Sequence, residues 1–283
     1  MKDKKLYLEV KDHSVSGEIF QLVYNKEYDI LETFPQLSPD KLSEYYKSEN
    51  YISHTDSRRN VFERVYHLVR QYSLKQKLKL IEKHSHSGKT LLDVGCGTGD
   101  FLKTALNAGW EVQGVEPNER ARAIANRKTN NKVDTPGALD NFQDASFDVI
   151  TLWHVLEHLP NLEQQIKMLS RLLKRDGILI IAVPNFKSYD AKHYKTFWAA
   201  YDVPRHLWHF SKDSIKKLFS DIGMTLYQIK PMLFDSFYVS LLSEKYKSGK
   251  IKPLKGFYRG LVSNLKAIRS GEWSSLIYLL KKS

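Results

Sequence analysis

Three glycines follow an acidic residue within residues 91–99, which read Leu-Leu-Asp-Val-Gly-Cys-Gly-Thr-Gly. The apolar residues around Asp93 predict a buried parallel strand, and the pattern from Phe101 onward predicts a helix directly after the glycines. Glycine lets the backbone turn sharply and approach a ligand closely, because it carries no Cβ. The loop therefore occupies the place where doubly wound α/β sheets bind cofactors, at the N-terminus of a helix.

The spacing of these glycines differs from the dinucleotide fingerprint G-x-G-x-x-G. Counted from Gly95, the third glycine of that fingerprint would fall on Asp100, whereas this chain has Gly99 one residue earlier. Asp93 and Asp100 would also repel a diphosphate at this loop. The pattern favours a ligand with a cationic or zwitterionic end. A tight strand-to-helix turn without a ligand is the alternative.

Histidines in two groups could serve as a base near neutral pH. His154 and His158 follow a predicted strand and lie four residues apart, so a helix would place them on one face. The second group consists of His193, His206 and His209. We expect His154 to be the base, followed by His206 and then His158, with a hydrogen-bonded structural histidine as the alternative at each position. No H-E-x-x-H pattern accompanies the pair, so no metal is expected.

Alternating strands and helices must position these residues. Glu116 ends the second predicted strand, and a turn is predicted at 176–177 before the fifth. The alternation predicts an α/β fold with a parallel sheet and right-handed crossovers. Strands are predicted over residues 90–94, 111–115, 132–134, 147–152, 178–183, 224–229 and 274–280.

The segments on either side of this alternating region carry different patterns. Residues 1–57 predict short strands and a short helix from Asp40, and an amphipathic helix is predicted over 58–84. Residues 185–210 are rich in aromatic side chains and are expected to form a lid over the substrate, although packing of a second core is equally consistent. The residues expected to contact the substrate are Tyr189, Trp198, Tyr201, Arg205 and Trp208. Arg205 could pair with a carboxylate or phosphate of the substrate.

Composition and charge narrow the classes of protein. The 283 residues have a net charge of +12, and residues 235–283 hold 10 Lys/Arg against 3 Asp/Glu. This basic part could attract an anionic surface, with a solvated face as the alternative, and no RNA-binding signature favours nucleic acid. Cys96 is the only cysteine, so an internal disulfide is excluded. Neither a signal peptide nor an apolar run near the roughly 18 residues of a membrane span is seen, so a cytoplasmic protein is expected.

Four segments in order resemble class I S-adenosylmethionine (SAM)-dependent methyltransferases, closest to the ubiquinone-biosynthesis-like O-methyltransferases. They are the glycine loop, Glu116, residues 147–158 and residues 172–178, and the resemblance covers about residues 60–230. It implies a Rossmann-like, doubly wound sheet of seven strands, mostly parallel, with the last strand antiparallel. Residues 274–280 would be that last strand, which makes the basic residues 235–270 a helical insertion before it.

The resemblance also implies a role for each motif residue. Glu116 would accept the ribose hydroxyls of SAM, and Trp153 with His154 would close over the sulfonium. Asp140 lies one position beyond the aspartate that binds adenine in some relatives. The remaining cofactor contacts implied are Asp93, Gly95, Cys96, Gly97 and Gly99 around the methionine part, and Pro117, Asn118, Ala138 and Leu139 around the adenosine part.

The implied function is methyl transfer from SAM to a small-molecule acceptor, at oxygen, with S-adenosylhomocysteine (SAH) as product. A protein or nucleic-acid acceptor and a non-catalytic SAM-binding module are the alternatives. Residues 58–283 would form the methyltransferase domain. Residues 1–57 would be an accessory segment that resembles a zinc ribbon without its cysteines, so it would bind no zinc and would help to form the substrate mouth.

Overall fold

The computed structural model describes residues 4–46, 61–85 and 88–283. The start of the helix predicted over 58–84 lies outside these residues. Strands in the described residues are β1 (Lys4–Lys11), β2 (Ile19–Asn25), β3 (Ile30–Phe34), β4 (Thr90–Val94), β5 (Glu111–Val115), β6 (Val133–Asp134), β7 (Phe147–Trp153), β8 (Leu173–Pro184), β9 (Trp208–His209), β10 (Met224–Pro231) and β11 (Ser275–Lys282). Helices are α1 (Pro39–Glu44), α2 (Val61–His84), α3 (Asp100–Asn107), α4 (Glu119–Thr129), α5 (Leu162–Leu172), α6 (Tyr189–Tyr194), α7 (Lys212–Ser220), α8 (Asp235–Ser248) and α9 (Pro253–Ser270).

Seven strands form the central sheet in the order β10-β11-β8-β7-β4-β5-β6. The five strands from β8 to β6 are parallel, while β11 runs antiparallel to both β8 and β10. Strands β4 and β7 and residues 177–183 of β8 are mostly apolar and are buried on both faces, as expected for a parallel sheet covered by helices. The predicted doubly wound sheet with an antiparallel last strand is confirmed.

Strand β8 begins earlier than the sequence predicts. The turn expected at 176–177 lies inside the strand, where the pairing with β7 shifts register. A Cβ added to Gly177 would lie 3.0 Å from the Asp148 carbonyl oxygen and 2.9 Å from Leu173 Cδ1. The glycine therefore relieves crowding at an irregular point of the sheet rather than forming a turn.

The N-terminal strands form a second, antiparallel sheet in the order β1-β2-β3-β9. Strand β9 comes from the aromatic segment 185–210, and the Thr33 N–H also donates to the Leu207 carbonyl at 3.0 Å. Buried residues of both segments form one apolar cluster, which includes Phe20, Leu22, Leu31, Tyr194, Trp198 and Tyr201. The prediction of a lid over 185–210 is therefore corrected: this segment forms a second core with the N-terminal sheet.

Helices α8 and α9 form the insertion predicted between the strands now numbered β10 and β11. They pack so closely that a Cβ added to Gly256 would lie 2.8 Å from Leu241 Cα, and one added to Gly260 would lie 2.8 Å from Phe237 Cα. The first residue of α8, Asp235, contacts His154 beside the end of β7. The insertion is thus positioned next to the carboxyl ends of the central strands.

Candidate active site

A cleft of about 1130 Å³ opens at the carboxyl ends of β4, β5 and β7. Its wall also includes the short 3₁₀ helix Pro136–Asp140, the start of α5 and the residues after β3. This is the edge where open α/β sheets bind ligands, and the volume suits a cofactor together with a second molecule. Predicted site residues that line the cleft are Gly95, Glu116, Pro117, Asn118, Leu139, Trp153, His154 and His158.

The three glycines of the loop after β4 have different structural roles. All have positive φ, at 68° for Gly95, 55° for Gly97 and 76° for Gly99. A Cβ on Gly95 would lie 2.5 Å from Val155 Cγ2, and one on Gly99 would lie 2.8 Å from Ala125 Cβ, whereas one on Gly97 would meet open space. Gly95 and Gly99 are therefore required by packing as well as by backbone conformation. Gly97 leaves room for a ligand.

Glu116 links the glycine loop to the next turn. Its carboxylate, only 2% exposed, accepts the Gly97 N–H at 2.8 Å and the Asn118 N–H at 2.9 Å. Burial raises the pKa of Glu116, and the two N–H donors oppose this shift. The side chain is thereby fixed at the wall of the cleft, with lone pairs left for further donors.

Asp93 lies under the loop rather than in the cleft wall. It is 2% exposed and accepts the Thr151 hydroxyl at 2.6 Å. Burial raises the pKa of Asp93 to about 7, against the opposing effects of Thr151 and Lys77. Cys96 does not line the cleft either, and burial raises the pKa of its thiol, so it behaves as a small packed residue.

The adenine side of the expected site is shifted by one residue. Leu139 and Asp140 line the cleft, whereas Ala138 packs against the central core. The contact implied for Ala138 is not supported by its position. Asp140, one position beyond the adenine-binding aspartate of some relatives, lines the cleft and could reach a ligand there.

His154 is held between two carboxylates. Its Nδ1 lies 3.3 Å from Glu157 Oε1, and its Nε2 lies 2.9 Å from Asp235 Oδ2. Burial lowers the pKa of His154, but the two carboxylates outweigh it and raise that pKa to about 10. At neutral pH the ring is an imidazolium without a free lone pair, so the expectation that it is the base is corrected.

Lys77 and Asp235 also belong to this charged group, and neither is predicted from the sequence. Lys77 Nζ lies 4.2 Å from the ring centroid of Trp153, and burial lowers its pKa to about 8 against the attraction of Asp93 and Asp235. Burial raises the pKa of Asp235, but His154 and other partners outweigh it and lower it. Nothing in the local pattern of α2 or α8 marks these residues, because their partners lie on other elements.

His158 and His206 contact each other, with ring centroids 4.5 Å apart. His158 lines the cleft, and its Nδ1 lies 3.0 Å from both the Tyr46 hydroxyl and the Arg205 carbonyl oxygen. His206 is 8% exposed, donates from Nδ1 to the Ala200 carbonyl at 2.9 Å, and burial lowers its pKa well below the usual value. His158 is the better placed base, because His206 lies behind it.

Glu157, His158 and His206 each offer one ligand atom, and these atoms lie within 4.8 Å of one another. Glu157 is fully buried, and its Oε2 has no hydrogen-bond partner in the described part of the chain. These three side chains could together hold a cation. The expectation from sequence that no metal is present stays a prediction.

The structure describes all five residues expected to contact the substrate, and none of them lines the cleft. Trp198 and Tyr201 are 2% and 1% exposed and pack in the second core. Tyr189 packs under Lys266 of α9, with the lysine Nζ 3.9 Å from the ring centroid. Arg205 forms an ion pair with Asp202 at 2.5 Å, and Trp208 Nε1 donates to the Leu159 carbonyl at 2.9 Å. The mouth of the cleft is instead lined from the N-terminal segment by Gln36, Leu37, Leu42 and Tyr46.

Comparison with known proteins identifies the family. Residues 66–229, more than half of the chain, match the family described as a methyltransferase domain. The chain belongs to this family. The family, the Rossmann-like fold and SAM as the family's cofactor, all expected from the motifs, are thereby confirmed.

The curated relatives of this methyltransferase share part of its length. An uncharacterized protein of Methanocaldococcus jannaschii is 33% identical over 141 residues, which are 49% of this chain and 51% of that protein. A ubiquinone biosynthesis O-methyltransferase of Paraburkholderia phymatum is 30% identical over 123 residues, 40% of this chain and 53% of that protein. The chain thus spans about half the length of the curated relatives it matches.

Solved structures share the fold at low sequence identity. Magnesium protoporphyrin IX methyltransferase from Synechocystis PCC 6803, with bound SAH, has a TM-score of 0.57 and 15% identity, covering 87% of this chain and 100% of that one. Geranyl diphosphate C-methyltransferase from Streptomyces coelicolor A3(2), with Mg²⁺, geranyl diphosphate and SAH, has a TM-score of 0.54 and 16% identity, covering 80% and 86%. At these identities the likeness establishes the fold of the methyltransferase.

Proposed function

We propose that this methyltransferase transfers the methyl group of SAM to an oxygen atom of a small-molecule acceptor and releases SAH. The observation that carries the proposal is the Glu116 carboxylate, which bonds the Gly97 and Asn118 N–H groups at the wall of the cleft. A carboxylate fixed in this way can accept both hydroxyls of a ribose. The O-methyltransferase names among the relatives support oxygen as the acceptor atom.

The lining at the cofactor end of the cleft offers a contact for each part of SAM. Glu116 would hold the ribose, Leu139 and Asp140 would contact the adenine, and the open space at Gly97 would admit the methionine part. The Asp93 carboxylate under the loop would favour the cationic end. SAM supplies the reactive methyl group, and the protein aligns the acceptor with it and excludes water.

The acceptor end of the cleft combines apolar side chains with polar groups. Tyr46 and His158 face the cleft there, with the tyrosine hydroxyl 3.0 Å from His158 Nδ1. A hydroxyl acceptor must lose its proton as the methyl group is transferred, and His158 would take it. The apolar lining favours an acceptor with an apolar part and consists of Leu37, Leu42, Leu159, Met168 and Leu207.

Calorimetric titration tests the cofactor site. We expect SAM and SAH to bind, NAD to bind at least 10-fold more weakly, and Glu116→Ala to weaken SAM binding at least 10-fold, because the ribose loses its acceptors. The control is Glu82→Ala, which removes an exposed carboxylate from α2. Wild-type affinity in Glu116→Ala, or preference for NAD, would contradict the proposal.

A labelled-methyl assay over acceptor classes tests the reaction. Once an acceptor is found, we expect His158→Ala to lower kcat about 10²-fold or more while SAM affinity stays within a few-fold. His193→Gln, outside the cleft, is the control. SAM binding without transfer to any acceptor would indicate a non-catalytic module. The same assay with and without EDTA tests the expectation that no metal is needed.

A further inference from the structure

Helix α9 packs with its small residues inward and its large apolar residues outward. Its buried residues are Gly256, Gly260, Ser263 and Ala267. Its exposed apolar residues, with the exposed fraction of each, are Leu254 (89%), Phe257 (61%), Tyr258 (58%), Leu261 (40%), Leu265 (56%) and Ile268 (67%). A surface helix of a globular protein has the opposite arrangement, because its large apolar stripe faces the core.

The exposed apolar residues form one stripe. At 3.6 residues per turn, the six fall within about 100° of the helix circumference. Lys255, Arg259, Lys266 and Arg269 fall along one border of this stripe, and residues 245–271 hold eight Lys/Arg and no Asp/Glu. The helix therefore presents an apolar stripe bordered by positive charge.

Neighbouring elements extend this surface. Phe237 of α8 stacks on Phe257 at 4.8 Å between ring centroids, and the Leu233 carbonyl accepts from Asn264 at 2.9 Å. Phe234, 43% exposed, meets the ring of Tyr72 edge-on at 5.9 Å. We call the six stripe residues with Leu233, Phe234 and Tyr72 the outer apolar face.

The basic border of the outer apolar face indicates the kind of partner that would bind there. In a symmetric dimer with antiparallel α9 helices, the two basic borders would lie side by side and the like charges would repel. An anionic bilayer complements both parts of the surface, because it offers an apolar interior and negatively charged head groups. No helix in the described residues is both long and apolar enough to cross a bilayer, so the contact would be peripheral.

We propose that α9 docks in the plane of an anionic bilayer surface. The stripe residues enter the boundary between head groups and acyl chains, and the lysines and arginines contact lipid phosphates. The docked surface adjoins the cleft, because Asp235 follows Phe234 directly and its Oδ2 lies 2.9 Å from His154 Nε2. This proposal does not depend on methyl transfer.

Vesicle co-sedimentation tests the docking. We expect the full chain to bind vesicles of phosphatidylcholine with 30% phosphatidylglycerol at least 10-fold more tightly than pure phosphatidylcholine, and binding to weaken as salt is raised. Leu254→Ser/Leu265→Ser/Ile268→Ser should lose at least 10-fold of this binding. Ile19→Ser, which changes an apolar residue of β2 that is 66% exposed, should bind as the wild type does.

Two further measurements keep the outcomes distinct. Thermal unfolding shows whether the triple variant remains folded, and its midpoint should stay within a few degrees of the wild type, because the three side chains are exposed. Light scattering without lipid gives the oligomeric state. The proposal would be overturned if the triple variant bound vesicles as tightly as the wild type. It would also be overturned if the wild type did not bind vesicles but formed a dimer that the triple variant did not form. Failure of SAM titration alone would leave the docking result unchanged.

Discussion

The imidazole of His154 contacts a carboxylate at each nitrogen, Glu157 at 3.3 Å and Asp235 at 2.9 Å. These contacts change the chemistry that the sequence position suggests. A histidine at the end of the fourth core strand is well placed to be a base, but one held as an imidazolium stabilises negative charge instead. His154 also has a φ of 58°, a left-handed conformation that a non-glycine residue adopts at some cost. Its ion pairs help to hold that conformation.

Substitution of His154 should change how stability depends on pH. The folded-state pKa of about 10 lies above the ordinary value of 6.5, so the ion pairs contribute fully below pH 6.5 and the contribution is lost as pH rises through 10. We expect the thermal midpoint of His154→Gln to lie several degrees below that of the wild type at pH 6, and the gap to shrink by at least half at pH 10.5. Scanning calorimetry over this range measures it. A gap that is constant or grows with pH would show that His154 is not held as a cation.

Strands and helices of the central sheet were predicted well because their signals are local. The apolar runs of β4, β7 and β8 predict strands buried on both faces, and the predicted and observed ends of β4 and β5 agree. The weak β6 is also confirmed as a two-residue strand. Alternation of these elements predicts a parallel sheet, since parallel neighbours require crossover helices. The antiparallel last strand follows only from the resemblance to methyltransferases.

Elements that depend on distant pairing could not be predicted. Strand β9 has two residues, and its pairing with β3 joins positions more than 170 apart in the chain, such as Leu31 and His209. The aromatic segment was misplaced for a related reason. Aromatic residues predict burial, but composition does not say whether they bury against a ligand or against β1–β3.

The candidate site divides in the same way. Gly95, Glu116, Asn118 and Trp153 could be predicted because they belong to motifs that resemble those of methyltransferases, and these motifs lie at the ends of neighbouring strands. The charged group beside Trp153 could not be predicted, because Lys77 and Asp235 belong to two helices, α2 and α8, that are far apart in the sequence. Only the packing of those helices brings their charges together.

At the scale of the whole molecule, one buried carboxylate connects three parts of the chain. Asp190 of α6, 1% exposed, accepts Trp198 Nε1 at 2.8 Å, Ser263 Oγ of α9 at 2.8 Å and Ser274 Oγ beside β11 at 2.6 Å. The second core, the insertion and the central sheet therefore share hydrogen bonds. We infer that they unfold together rather than as separate domains.

Asp190→Ala should lower the stability of all three parts at once. Removing the carboxylate leaves three buried donors without an acceptor, at about 1–3 kcal/mol each, so we expect the free energy of unfolding to fall by about 3 kcal/mol or more. Urea unfolding followed by tryptophan fluorescence and by far-ultraviolet circular dichroism should give coincident transitions, both shifted to lower urea. Asp213→Ala is the matched control, because that carboxylate is 77% exposed and lies 3.7 Å from Lys187 Nζ, so its removal should leave both curves in place. Separate fluorescence and circular-dichroism transitions in the wild type would contradict the inference that the three parts unfold together. A circular-dichroism transition that Asp190→Ala leaves unshifted would show that the shared hydrogen bonds are unnecessary for the stability of the rest of the fold.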